Sequence, residues 1–219
     1  SSELMSNVNN NGKGLFLGNI SGVPPTEIVV IGSDKIAESA TLAATKLGAR
    51  VKVFSNSIFK LNKIQKLITN PIYSSTIQKK QLSKALMRCD VAIGTIKSST
   101  SSESIISEDM VMKMKKGAII IDVSIDTGGT FETSELTTHD KPTFEKHNVI
   151  HYCVPNIPSR YSRTSSLCLS NIITPYLIKS VKFGSFENFI RNNNSFKKGV
   201  YLYNGLSTNL IISQILDIK

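Results

Sequence analysis

The residues best placed to do chemistry lie where apolar stretches give way to loops. Ile121-Asp122-Val123-Ser124-Ile125-Asp126-Thr127-Gly128-Gly129-Thr130 runs from a continuous apolar segment straight into a two-glycine loop, so Asp126 is delivered to the end of a strand. A carboxylate there can accept a hydrogen bond or orient a water or an imidazole, although an isolated D-x-G-G is more often a carboxylate that caps its own loop. Earlier in the chain, Val30-Ile31-Gly32-Ser33-Asp34-Lys35-Ile36-Ala37 has the place of a dinucleotide turn. Such a turn needs small residues at its first, third and sixth positions, for the tight bend, the approach of a pyrophosphate and close packing of the helix. Gly32 supplies the first and Ala37 is an acceptable sixth, but Asp34 sets a carboxylate where the phosphate would meet the helix N-terminus. Ser55 stands where an acidic residue would receive the ribose hydroxyls. On spacing alone, a nucleotide site and a Rossmann-like sheet without one both stay open.

The elements that would position these residues alternate along the chain. Residues 26–32 (TEIVVIG) read as a strand, and residues 35–47 carry Ile36, Ala40, Ala43, Ala44 and Leu47 at helical spacing up to Gly48. Residues 50–54 (RVKVF), a short piece at 71–73, residues 91–94 (VAIG), 118–123 (AIIIDV) and 149–153 (VIHYC) are further strands. Helices are predicted over 57–68, 80–88 and 108–115, with a Ser-rich loop over 97–104. β-Branched runs alternating with helices predict an α/β fold, a doubly wound parallel sheet with helices on both faces and ligands beyond the carboxyl ends of its strands. Residues 164–182 form a helix that Pro175 is expected to kink. Beyond Phe183 the chain turns polar and Asn-rich. Its apolar residues, Phe186, Phe189, Ile190, Val200, Tyr201 and Leu202, are too few for a separate core and are expected to pack on something outside the sheet domain.

Composition narrows the classes. A chain of 219 residues corresponds to one sizeable domain and an appendage, taking about 150 residues per domain. A hydrophobic fraction of 40% with 19% charged residues is that of a globular protein able to bury its own core. No stretch approaches the roughly 18 apolar residues of a membrane span, and the polar start lacks a signal-peptide pattern, so a cytoplasmic protein without a membrane partner is expected. The 26 Lys plus Arg against 16 Asp plus Glu give a net charge of +10. The lysines are scattered rather than gathered with aromatics into a stripe, which argues against nucleic acid as a partner. Cys89, Cys153 and Cys168 include no CxxC and suggest neither disulfides nor a metal site.

Three segments carry a resemblance. Residues 13–25 (KGLFLGNISGVPP), 121–144 (IDVSIDTGGTFETSELTTHDKPTF) and 151–166 (HYCVPNIPSRYSRTSS) are similar to the alanine dehydrogenase family, in its order and spacing and over nearly the whole chain. The wider group includes the nucleotide-binding subunit of transhydrogenase, but the segments around Asp126 and Asn156 favour the dehydrogenase branch. The resemblance implies a cofactor domain over residues 1–163 that binds NAD, and a segment over 164–219 that returns to a catalytic domain. It implies oxidative deamination of L-alanine to pyruvate and ammonia, with hydride passing to NAD, and a homo-oligomer. Asp126 then matches the active-site aspartate, with Ser124 and Ile125 beside the nicotinamide and Asn156 with Ile157 near nicotinamide and substrate. Gly32, Ser33, Asp34 and Ala37 occupy the pyrophosphate turn, Ser55 the ribose position, and Gly94, Thr95 and Ile96 the loop flanking the adenosine half. Family members begin with a region supplying an Arg and a Lys for the substrate carboxylate and a His for acid-base work. None of His139, His147 or His151 matches that histidine; His139 and His151 read as structural and His147 as solvated. The isolated chain is therefore expected not to turn over alanine. The alternative is a non-catalytic subunit or interaction module with a degenerate nucleotide turn.

Overall fold

The computed structural model describes residues 1–69, 71–96 and 104–208. Most of the expected Ser-rich loop therefore lies outside the described residues. Two compact units divide the chain, Ser1–Ile157 and Pro158–Lys219. In the first, α1 (Ser2–Ser6) precedes β1 (Glu27–Ile31), α2 (Lys35–Lys46), β2 (Arg50–Phe54), α3 (Ile58–Leu67) and β3 (Tyr73–Ser75). There follow α4 (Lys79–Leu86), β4 (Val91–Gly94), α5 (Glu108–Met112), β5 (Ile119–Asp122), β6 (Thr143–Lys146) and β7 (Val149–Tyr152). The seven strands form one sheet in the order β3-β2-β1-β4-β5-β7-β6. All neighbours are parallel except β6 and β7. The doubly wound sheet expected from the sequence is present, and its strand order reverses between β1 and β4.

β1 shows why apolar, β-branched runs become central strands. Ile28 and Val30 join one buried cluster with Ala37 and Ala44 of α2, Val51 and Val53 of β2, and Leu61 and Ile64 of α3. Val29 and Ile31 join the opposite cluster with Leu82 and Leu86 of α4, Val111 of α5, Ile120 and Phe131. Because both faces are covered, alternation with polar residues is absent. Each such side chain contributes about 1.5–3 kcal/mol by leaving water. At the amino end of the sheet Asp90 binds Lys13 Nζ at 3.2 Å and Lys115 Nζ at 2.9 Å, and accepts the Glu27 N–H at 3.0 Å. That one carboxylate fastens β1, the start of β4 and the turn before β5.

Two local features differ from the sequence expectation. β6 is an antiparallel edge strand joined to β7 through His147 and Asn148, whose φ values of 55° and 59° are those of a two-residue type I′ turn. No glycine marks that turn in the sequence. β3 lies two residues later than expected, because its register is fixed by β2, with Lys52 opposite Tyr73 and Phe54 opposite Ser75.

The second unit contains α6 (Ser162–Lys182), α7 (Phe186–Asn192), α8 (Asn194–Lys197) and a hairpin of β8 (Leu202–Tyr203) and β9 (Leu206–Ser207). α6 continues through Pro175. The tail builds a small aromatic cluster of its own. Phe189 is buried, with ring centroids 5.7 Å from Phe183 and 5.1 Å from Phe196. Eight large apolar residues of α6 are exposed, among them Leu167, Leu169, Ile172, Ile178 and Val181.

Candidate functional site

Strand register lines up the loops that could hold a ligand. Ile31 pairs with Phe54 on one side and Gly94 on the other, and Gly94 pairs with Asp122. The carboxyl ends of β2, β1, β4 and β5 therefore form one row. The residues immediately beyond, Gly32, Ser55, Thr95 and Val123, extend the ladder by one step. The Gly32 N–H donates to Phe54 O at 2.8 Å, the Thr95 N–H to Ile31 O at 2.9 Å and the Val123 N–H to Gly94 O at 2.9 Å. The rim sits where the strand order reverses, the usual ligand crevice of such sheets.

A cavity of about 380 Å³ opens there, lined by Gly32, Ser33, Asp34, Ser55, Asn56, Ser57, Lys60, Thr95, Ile96 and Ile105. It unites six of the residues singled out by the sequence, from three separate loops. Its size lies within the range of small-molecule and cofactor clefts, about 300–1,000 Å³. A larger cavity of about 740 Å³ in the second unit, lined by Phe186, Ile190 and Leu202 among others, gathers none of them. The rim cavity is therefore the stronger candidate.

The turn after β1 has the backbone of a dinucleotide site. Gly32 has φ +131°, and a Cβ there would overlap the Thr95 hydroxyl, so the β1 and β4 loops approach as closely as they do only because residue 32 is glycine. Ala37 is fully buried beneath the turn. Asp34 is the N-cap of α2: its Oδ1 accepts the Ala37 N–H at 2.9 Å and the Thr95 hydroxyl at 2.9 Å. The helix end that would face a pyrophosphate thus already carries a carboxylate of the chain's own. On the β2 side, Ser55 is buried, with its hydroxyl 2.6 Å from that of Ser33, and it accepts the Ser57 N–H at 3.3 Å.

Gly94 lies below the rim. A Cβ on it would come within 2.5 Å of Thr130 Cβ and 2.7 Å of Phe131, so its smallness lets the β5 loop pack across β4. Thr130 ties the two loops together: its hydroxyl accepts the Ile96 N–H and donates to Ile96 O, each at 3.3 Å.

Further along the rim, Ser124 is buried, Ile125 half-buried and Asp126 exposed in a 3-10 turn over Ile125–Thr127. Asn156, with φ +51°, and Ile157 follow β7, two strands beyond β4. These residues share the carboxyl edge of the sheet with the cavity but do not line it.

The residue that organises this edge is one the sequence reading passed over. Asp122 is fully buried. Its Oδ1 accepts the Ser124 N–H at 3.1 Å and the Ser124 hydroxyl at 2.8 Å. Its Oδ2 accepts the Thr130 N–H at 2.7 Å, the Phe131 N–H at 3.2 Å and the Ser134 hydroxyl at 2.7 Å. Asp122 shapes the loop that carries Asp126 outward. The usable signal was an Asp ending an apolar run with two glycines and five hydroxyl residues in the next dozen positions.

His151 and His147 are held by partners within the chain. His151 is buried, stacked on Phe144 at 4.8 Å, with Nδ1 2.9 Å from Val149 O and Nε2 2.8 Å from the Thr133 hydroxyl. A carbonyl only accepts, so the proton sits on Nδ1 and Thr133 donates to Nε2. His147, expected to be solvated, is half-buried instead, with Nε2 2.6 Å from Glu108 Oε1. Among the described residues, no group of three or more His, Cys, Asp or Glu could hold a metal ion, and no helix is long and apolar enough to cross a membrane.

A reversing parallel sheet, a positive-φ glycine turn after its first strand and a cavity at the reversal define a Rossmann-type fold of the dinucleotide-binding kind. The sequence profile of the family described as "Alanine dehydrogenase/PNT, C-terminal domain" matches residues 3–209. The chain belongs to this oxidoreductase family. An alanine dehydrogenase of Methanococcus maripaludis is 32% identical over 209 residues, covering 94% of this chain and 56% of that protein. A solved L-alanine dehydrogenase superposes over 100% of this chain and 60% of its own, at a TM-score of 0.91 and 25% identity. A transhydrogenase from Sinorhizobium meliloti shares the fold, with a TM-score of 0.69 and 18% identity over 89% of this chain and 54% of its own. The chain thus spans a little over half the length of the curated relatives it matches.

Proposed function

We propose that this chain is the cofactor-binding part of an NAD-dependent alanine dehydrogenase, which deaminates L-alanine oxidatively to pyruvate and ammonia. The observation that carries the reading is the alignment of the β2, β1, β4 and β5 loops around one cavity at the strand-order reversal. The bound nicotinamide would supply the hydride acceptor. Gly32, Ser33, Asp34 and Ala37 would form the turn that meets the pyrophosphate, Ser55 would stand at the adenosine ribose, and Thr95 with Ile96 would close the β4 side. Asp126, exposed on the next loop along the rim, accepts a hydrogen bond from a water or an imidazole brought to it. Asn156 and Ile157 border the nicotinamide end.

The domain boundary near residue 163 belongs to the same reading. The exposed apolar residues of α6 support a segment that packs against a catalytic part of the protein, since a helix apolar on most of its surface is normally buried. A cytoplasmic homo-oligomer goes with the proposal, and light scattering tests its oligomeric part.

Titration of the 219-residue chain with NADH tests the central claim. Saturable binding in the micromolar range supports it, and no binding at millimolar cofactor overturns it. One observation favours a second reading, a non-catalytic module: the Asp34 carboxylate already fills the N-terminus of α2. That reading predicts that removing the carboxylate restores no binding.

A further inference from the structure

The β2 side of the cavity bears no carboxylate. Where a dinucleotide site selects the unphosphorylated cofactor, an acidic residue at the end of the second strand accepts both ribose hydroxyls and repels a 2′-phosphate; a cation nearby has the opposite effect. Here Phe54 ends β2, and Ser55 follows it, 5% exposed, its hydroxyl held by the Ser57 N–H and set beside Ser33. The wall continues through Asn56 and Ser57 to Lys60. The Lys60 ammonium forms no ion pair among the described residues.

Nearby negative charge is accounted for. Among the lining residues the one carboxylate is Asp34, on the β1 wall, where it accepts the Ala37 N–H and the Thr95 hydroxyl. Glu38, on the next turn of α2, is paired with Lys35 at 3.2 Å and Lys63 at 3.6 Å.

Resting on the cofactor reading above, we infer that the site admits a phosphate on the adenosine 2′-oxygen, so that the chain takes NADP(H) at least as well as NAD(H). A 2′-phosphate between Ser55, Ser57 and Lys60 gains charge-assisted hydrogen bonds, whereas a free ribose diol gains only neutral ones. Ser55 and Lys60 are the residues that set the choice.

The test is parallel titration of the 219-residue chain with NADH and NADPH at one ionic strength, and with 5′-AMP and adenosine 2′,5′-bisphosphate as fragments that isolate the ribose. NADPH binding as tightly as NADH or more so, together with the bisphosphate binding more tightly than AMP, supports the inference. Ser55→Asp should then shift the NADPH/NADH affinity ratio at least about tenfold toward NADH, and Lys60→Ala about fivefold in the same direction. Lys60 is exposed, so its variant is expected to fold normally and keeps the test decisive if Ser55→Asp does not. NADH binding at least tenfold more tightly than NADPH overturns the inference and leaves the cofactor reading standing. Failure of both cofactors to bind at millimolar concentration overturns both.

Discussion

Replacing Asp122 by asparagine is expected to destabilise the first unit by about 3 kcal/mol. All five partners of the Asp122 carboxylate donate, two to Oδ1 and three to Oδ2. An amide accepts on one side only. The less damaging orientation keeps its oxygen toward Thr130, Phe131 and Ser134 and turns Nδ2 toward Ser124. The Ser124 hydroxyl can swing to Thr130, 2.8 Å away, but the Ser124 N–H is fixed and meets another donor. One charge-assisted bond of about 1.5–3 kcal/mol is lost outright. The three that survive become neutral and roughly half as strong. The sum falls at the lower end of the 3–5 kcal/mol typical when a buried charge loses its partner. Urea and thermal unfolding give the measurement, with an expected fall in midpoint of about 6–12 °C for a unit of this size. Asp126→Asn, at an exposed position, should stay within about 0.5 kcal/mol. A loss below 1 kcal/mol for Asp122→Asn would refute the idea that this carboxylate holds the loop.

Burial works to raise the Asp90 pKa, but the Glu27 N–H and the Lys115 and Lys13 ammoniums overcome it and hold the group below its ordinary 3.8. Its stabilisation is present above pH 3.8 and lost as pH falls through the lower folded value; the Asp90→Asn protein should lack that acid limb in a pH series of urea midpoints. His151 is pushed below its ordinary 6.5, chiefly by burial. The unfolded chain then takes up its proton first, so stability should decline as pH falls below 6.5 toward the folded value, and an imidazole NMR titration at or above 6.5 would contradict this. Asp34→Gly should raise NADH affinity about tenfold by freeing the helix end, while stability falls by only a few tenths of a kcal/mol, because glycine is itself a tolerable N-cap; unchanged affinity would favour the module reading.

The parts of this fold legible in the sequence are those where one physical requirement dominates. β1, β2, β4 and β5 need side chains that fill both faces of a sheet, and Ile, Val and Ala runs announce that directly. Gly32 was legible because a backbone that bends with positive φ against Thr95 tolerates little else. β6 was not, since only four residues pair there, on one side, through a turn whose left-handed residues are His147 and Asn148 rather than glycine. The β8–β9 hairpin did carry a signal, Asn204-Gly205, with φ values of 50° and 80°. It was masked by the polar composition around it. Asp122 was passed over for Asp126 because sequence shows which carboxylate stands beside glycines, whereas burial and partners up to twelve residues away decide which one builds the loop.

Hydrogen bonds internal to the chain hold this rim in shape. The loop after β4 is tethered on both sides, by the Thr95 hydroxyl to Asp34 and by Ile96 to Thr130. Thr130 is in turn held by Asp122. The two carboxylates thus fix three neighbouring loops through hydrogen bonds internal to the chain. A cofactor entering the cavity would have little backbone left to order, which favours binding. Its pyrophosphate would have to compete for one helix end with a carboxylate that is already satisfied. Affinity therefore turns on Asp34, and selectivity on the opposite wall at Ser55 and Lys60, so substitutions on the two walls should combine additively unless Ser33, which touches Ser55 and adjoins Asp34, transmits one to the other.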